Sequence, residues 1–282
     1  MRPRACEPNS KPHVSSRGNC ASFTPAAITS SVPLCYPPGS PAALSEGTRD
    51  KDGWEALRRS LDVFSALATS HAAGMAQLIW NGGYLFTLPV LARASVEASV
   101  AGCWSLNPAV SDQERLQRAH LIRFNDISRF ITAALDKSHR DEAKKNRKAY
   151  KKSLTATYED IEFGDSGDLV RIEGVHAPTF ASQFDETSQR LGFEKLLSGH
   201  YGMLSQMSHP NPATAETMWH RDGSYRWEPT DSKRLIWVVA FTYRQYASHF
   251  LPFYGDEALI EELDTALEAA YPNFFTADED RC

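Results

Sequence analysis

A chain of 282 residues and 31.4 kDa is long enough for one large domain or two small ones, and a hydrophobic content of 42% supplies a core. A net charge of −5 with an isoelectric point near 6.0 excludes a general attraction to nucleic acid or anionic membrane, so any such contact must come from a local patch. The five cysteines (Cys6, Cys20, Cys35, Cys103 and Cys282) contain no C-x2-C pair, which removes the usual zinc spacing and points to free thiols in a reducing, cytoplasmic compartment.

Residues 1–48 are rich in Pro, Ser and Ala and show no helical or strand period, which predicts a disordered tail ahead of a single helical domain over 49–282. No apolar core follows Arg2 and Arg4, so no secretory leader is expected. The longest apolar run, Leu235 to Phe253, is interrupted by Arg244, Gln245 and His249, and no membrane span is expected. From Gly53, the residues Trp54, Leu57, Leu61, Phe64, Leu67, His71, Met75 and Leu78 recur at helical spacing, with Asp52 as cap and Asn81-Gly82-Gly83 as terminator.

Gly83 to Leu106 then reads as a mostly apolar helix, with Pro89 near its start and Asn107-Pro108 as its stop. A third helix is predicted over Ser111 to Ser138, opened by a Ser111–Glu114 capping box. Its inner face is Leu116, Ala119, Ile122, Ile127, Phe130, Ile131 and Leu135, and its outer face Arg115, Arg118, Arg123 and Arg129. Arg140 to Lys152 is basic, helical and solvated, and 154–180 weakens in pattern, with a loop at Glu162 to Asp168. Helices follow over Asp185 to Leu197 and Gly199 to Asn211, ended by Asn211-Pro212, and residues 213–232 read as polar and irregular. Leu235 to Phe250 reads as a buried helix, though its IWVV run also admits a strand. Asp256 to Tyr271 is an acidic amphipathic helix with Leu259, Ile260, Leu263 and Leu267 inward. The fold implied is all-α, an up-and-down bundle of about six helices.

Arg93 and Glu97 lie four residues apart within the apolar helix, on a face continued by Ala101 and Trp104. A guanidinium and a carboxylate in apolar company need each other or partners on a neighbouring helix. The natural neighbour is the stripe Tyr201, Ser205 and His209 at i, i+4 and i+8. Two readings follow. The seam is a structural ion pair with a hydrogen-bonded ladder, or it is a small-ligand site in which Arg93 takes an anion and His209, held by Ser205, is a general acid or base.

A serine nucleophile is not implied, because no Gly-x-Ser-x-Gly elbow is present. His71 faces the same seam as a further ligand-binding candidate, but grouping it with Glu97 and His209 around a metal lacks the Glu-x-x-His spacing such sites use. No metal and no cofactor are therefore predicted, and His220-Arg221-Asp222 reads as plain polar loop. The basic run 140–152, with Tyr150 inside it, is the one stretch that suits nucleic acid, against the alternative of a solvated face. The acidic carboxy-terminal helix offers a homodimer contact as a further alternative.

The helix LARASVEASVAGCW and the later YGMLSQMSH resemble a family of bacterial helical proteins described as a domain of unknown function, a likeness that covers about residues 60–250 and implies fold rather than activity. A more distant likeness is to HEPN domains, helical bundles that often act as metal-independent RNases through an Arg-x4–6-His motif. Arg115 to His120, Arg171 to His176 and Arg244 to His249 fit Arg-x4-His. The resemblance implies Arg244 and His249 as a catalytic pair, with 140–152 holding RNA.

Overall fold

Apolar side chains at every third or fourth position build the long helices expected, and a computed structural model describes residues 40–45, 50–81, 87–208 and 229–270 of the chain. The helices are α1 (Pro41–Ser45), α2 (Lys51–Trp80), α3 (Thr87–Ser105), α4 (Asp112–Ala133), α5 (Lys137–Thr157), α6 (Phe180–Leu191), α7 (Glu194–Ser208), α8 (Pro229–Tyr254) and α9 (Ala258–Ala270). An antiparallel sheet of β1 (Ile161–Phe163), β2 (Leu169–Ile172) and β3 (Val175–His176), in that order, joins α5 to α6. The described residues are mostly helical, as the periodicity predicts.

α3 is the axis. Thirteen of its nineteen residues are buried, and α2, α6, α7 and α8 all pack on it. Its sequence permits this because Ala92, Ser95, Ala98, Ser99, Ala101 and Gly102 are small enough for neighbours to close in from every side. Gly102 marks the tightest approach: a Cβ there would collide with the Tyr246 ring of α8. Ser95 Oγ donates to the Ala68 carbonyl of α2 at 3.0 Å, and Tyr246 Oη donates to the Leu61 carbonyl at 3.0 Å. One apolar cluster joins Met75, Val96, Leu204, Leu235 and Phe241, a second Trp54, Leu57, Cys103, Leu116 and Tyr246. In a third, Leu169 and Ile172 of the sheet pack on Leu121, Phe124 and Leu154.

Several expectations are corrected. The sheet lies within 154–180, where the pattern weakens and only a loop at Glu162 to Asp168 was expected; its strands are too short to show a period, and its tight turn is Glu173-Gly174 rather than Asn-Gly. Both turn residues have positive φ, and Glu173 is held there by Gln113 and Gln117 side chains donating to Oε2 at 2.9 and 2.8 Å. The third helix breaks at 134–136, where Asp136 caps α5, so Phe130 and Leu135 are exposed rather than inward. Arg118, expected outside, is buried. The IWVV run is helical. Leu259 of α9 is exposed, whereas Leu267 packs on the first cluster. Pro41–Ser45, inside the segment expected to lack structure, is helical and buries Ala42. The remainder of 1–48 apart from 40–45, the turn at Gly82-Gly83, His209, Asn211-Pro212, most of 213–232 and Tyr271 lie outside the described residues.

The cap of α2 is Asp50, not Asp52. Asp50 Oδ1 accepts the Gly53 N–H at 2.8 Å, and Oδ2 accepts His120 Nε2–H at 2.8 Å together with the Tyr158 hydroxyl. His120, fully buried in α4, has Nδ1 within 2.7 Å of the Tyr150 hydroxyl. This network ties the start of α2 to α4 and α5. Burial alone would raise the Asp50 pKa, but the bonds and charge from His120, with Tyr158 and Gly53, reverse that and hold it below the ordinary carboxylate range. A depressed folded pKa contributes stability above the unfolded value, near 3.9, and loses it as pH falls through the folded one. Asp50→Asn is therefore expected to flatten the acid limb of stability against pH in urea titrations. Asp50→Ala is expected to cost about 2 kcal/mol at neutral pH, from a lost cap and a stranded His120.

Candidate functional site

Of the expected seam, Arg93, Glu97 and Tyr201 meet; Ser205 does not join them, and His209 lies outside the described residues. Arg93 Nε donates to Glu97 Oε1 at 2.6 Å, and its terminal nitrogens donate to Ser208 Oγ at 2.7 Å and to Tyr201 Oη at 3.4 Å. Tyr201 Oη in turn donates to Glu97 Oε1 at 3.1 Å. Ser208 takes the place assigned to Ser205, whose carbonyl accepts the Ser208 hydroxyl at 3.2 Å. The helix period explains it: seven residues return to within about 20° of Tyr201, whereas four drift by about 40°.

Burial opposes the Arg93 charge but the Glu97 carboxylate outweighs it, so the guanidinium pKa rises; burial and Glu97 together raise that of Tyr201. The pair keeps partial solvent contact, with 22% and 35% of the two side chains exposed. His71 is half-buried on α2 and makes no hydrogen bond to the seam among the described residues. Among the same residues, no three His, Cys, Asp or Glu side chains gather closely enough to hold a metal ion, and no helix is long and apolar enough to cross a membrane.

Arg244 and His249 do not face each other. Asp264 of α9 takes Arg244 in a bidentate pair at 2.8 and 2.7 Å. His249 Nε2 accepts Arg190 at 2.7 Å while Nδ1–H donates to the Gln245 carbonyl at 2.8 Å. Burial first, then the Arg190 charge, lowers the His249 pKa. The other two Arg-x4-His pairs also part company. Arg115 turns to Asp112 and the Val110 carbonyl, and Arg171 turns to Asp160 and Glu162.

One concave site among the described residues is one that sequence reasoning missed. At the carboxy-terminal end of α3, a cleft of about 370 Å³ is lined by Trp104, Glu114, Arg118, His176, Ser182 and Glu186, among others. Arg118 is its floor, only 6% exposed, and its guanidinium lies 4.3 Å from the Trp104 ring centroid. Nε and one terminal nitrogen donate to Glu114 Oε1 at 3.0 and 2.7 Å. The other donates to the Trp104 carbonyl at 2.8 Å and lies 3.0 Å from Glu186 Oε1. Glu186 also accepts the Trp104 indole N–H at 2.7 Å and the Asn107 amide at 2.9 Å.

Four elements place these groups: α3 supplies the indole, the first turns of α4 supply Glu114 and Arg118, α6 supplies Glu186, and the Gly174 turn swings His176 to the rim. Gly174 takes a φ of 88° and lies in open space, so the backbone conformation alone calls for glycine. The i, i+4 spacing of Glu114 and Arg118 was legible, but it had been assigned to a cap and a solvated face.

No family model matches the chain, and neither curated proteins nor solved structures yield a match.

Two outcomes follow. Arg93→Met or Glu97→Leu alone is expected to lower stability by about 1–2 kcal/mol, and the double variant to recover most of it, in a denaturant double-mutant cycle. His249 is expected to titrate by NMR below the free-histidine value near 6.5, and Arg190→Met to move its midpoint upward.

Proposed function

We propose that this chain is a soluble, cytoplasmic helical binding domain that takes a small cationic ligand, an amine by chemical class, in the cleft at the end of α3. The observation that carries this reading is the charge balance of that cleft. Two carboxylates meet one guanidinium, four of whose five N–H donors are spent on them and on a carbonyl. One negative charge is left over, and Glu114 Oε2 has no hydrogen-bond partner among the described residues. About a third of each carboxylate side chain reaches solvent, at 32% for Glu114 and 39% for Glu186. The cleft volume is in the range of small-molecule pockets, about 300–1,000 Å³. A protonated amine supplies the missing charge and donors, whereas an anion would meet uncompensated repulsion.

In this reading the Arg93 seam is structural: Arg93, Glu97, Tyr201 and Ser208 bond one another across two helices, which clamps α3 to α7. Hydrolysis by Arg244 and His249 has less support, because one is occupied by Asp264 and the other by Arg190 and Gln245.

The Trp104 indole N–H resonance is the reporter, since its acceptor is a wall of the cleft. Titration with primary amines and diamines is expected to shift it saturably, while phosphates and polyols of similar size leave it in place. Glu114→Gln keeps an acceptor for Arg118 but removes the charge, and is expected to weaken amine binding about tenfold with the fold intact. An indole resonance indifferent to amines, or an equal response in the Gln variant, would sink the reading.

A further inference from the structure

α5 departs from the charge pattern of the rest of the chain. It carries eight of the thirty basic residues, against two acidic ones, in twenty-one residues of a protein that is acidic overall. The structure sorts these cations by type. The arginines are turned inward. Arg140 donates to the Ala134 carbonyl at the end of α4, and Arg147 bonds the Gly167 carbonyl and lies 5.1 Å from the Phe124 ring centroid. Lys151 is drawn over Phe163, at 3.8 Å from its ring centroid.

The remaining lysines, Lys137, Lys144, Lys145, Lys148 and Lys152, are exposed. Their positions fall on one outer face of the helix, within about 50° of its midline at 3.6 residues per turn. From Lys137 to Lys152 the stripe runs about 22 Å at 1.5 Å per residue. Lys144 has a partner, Asp141, at 3.9 Å; Lys145, Lys148 and Lys152 have no carboxylate partner among the described residues. Lys144–Lys148 and Lys148–Lys152 are like-charged i, i+4 pairs, which destabilise a helix in isolation. A local rule broken repeatedly on one exposed face, relieved among the described residues only by Asp141 at Lys144, points to an outside partner.

We infer that the lysine face of α5 docks on the phosphate backbone of a nucleic-acid duplex without reading its sequence. Charge complementarity commits the face to a polyanion, and its length matches about six phosphates of one strand at about 3.4 Å each. Lysine is a point charge that suits phosphate. Base edges are read by bidentate groups, foremost arginine, and here the arginines are occupied inside. A membrane surface is the poorer fit, because this face offers no bulky apolar side chain to insert between lipids. The inference does not rest on the amine cleft, which is built on other elements.

The test is fluorescence anisotropy of the full chain with a short random-sequence DNA duplex. Binding is expected to fall about fortyfold between about 50 and 200 mM salt, the slope of about three released counterions. Two unrelated sequences are expected to bind equally. The Lys145→Glu, Lys148→Glu, Lys152→Glu triple variant is expected to abolish binding with its thermal midpoint kept, since all three side chains are exposed. Unchanged binding or salt slope in that variant, preference for one duplex, or equal affinity for polyglutamate or phosphatidylserine vesicles would each overturn the inference.

Discussion

The burial of α3 on every side is the constraint from which the rest of the architecture follows. A helix wrapped by four others cannot leave its last carbonyls to water, and α3 ends inside the protein. The Trp104 carbonyl is taken by Arg118 of α4 at 2.8 Å, and the Cys103 carbonyl lies 3.5 Å from Arg190 of α6. Cations at a helix carboxy terminus also complement its dipole. Each buried guanidinium then requires company of its own. Arg118 draws in Glu114 and Glu186, and Arg190 draws in His249. The cleft and the altered histidine are thus two consequences of closing one helix end.

The same burial governs Cys103. Its thiol pKa is pushed up to about 12 by burial, only partly opposed by Arg190, which makes this cysteine a small apolar filler rather than a nucleophile. It also explains why the chain places arginine and lysine so differently. Arginine brings several fixed donors and a weakly hydrated plane, so Arg93, Arg118 and Arg190 can each satisfy partners from more than one element. Lysine, with a strongly hydrated point charge, stays outside on α5.

Much of the fold was legible because long helices advertise their period and small residues advertise close packing. The Arg93–Glu97 couple was legible for a sharper reason: two charges one turn apart in an apolar stretch have few ways to be satisfied, and Tyr201 was a near-unique helical neighbour. Arg118 was not legible. It sits among Arg115, Arg123 and Arg129, so its spacing matches a solvated face, and what draws it inward is a carbonyl fourteen residues earlier. His120 fails similarly, since Asp50 and Tyr150 lie seventy and thirty residues away. The sheet failed because strands of three, four and two residues carry no period.

α4 holds both halves of this chemistry on one rigid element. Its first turns present Glu114 and Arg118 to the cleft, and two residues further on His120 faces the Asp50 and Tyr150 hydroxyl network that anchors α5. Two residues rotate a helix by about 200°, so neighbouring positions look in opposite directions and need not compete. The anionic cleft and the cationic α5 face are therefore separated by the helix they share. A protein of net negative charge can in this way keep a concentrated positive surface, because acidic groups packed on α4 are committed elsewhere: Glu114 and Glu186 to Arg118, Asp50 to His120, and Glu173 to Gln113 and Gln117. That division rests on the geometry of one helix and not on any change of conformation.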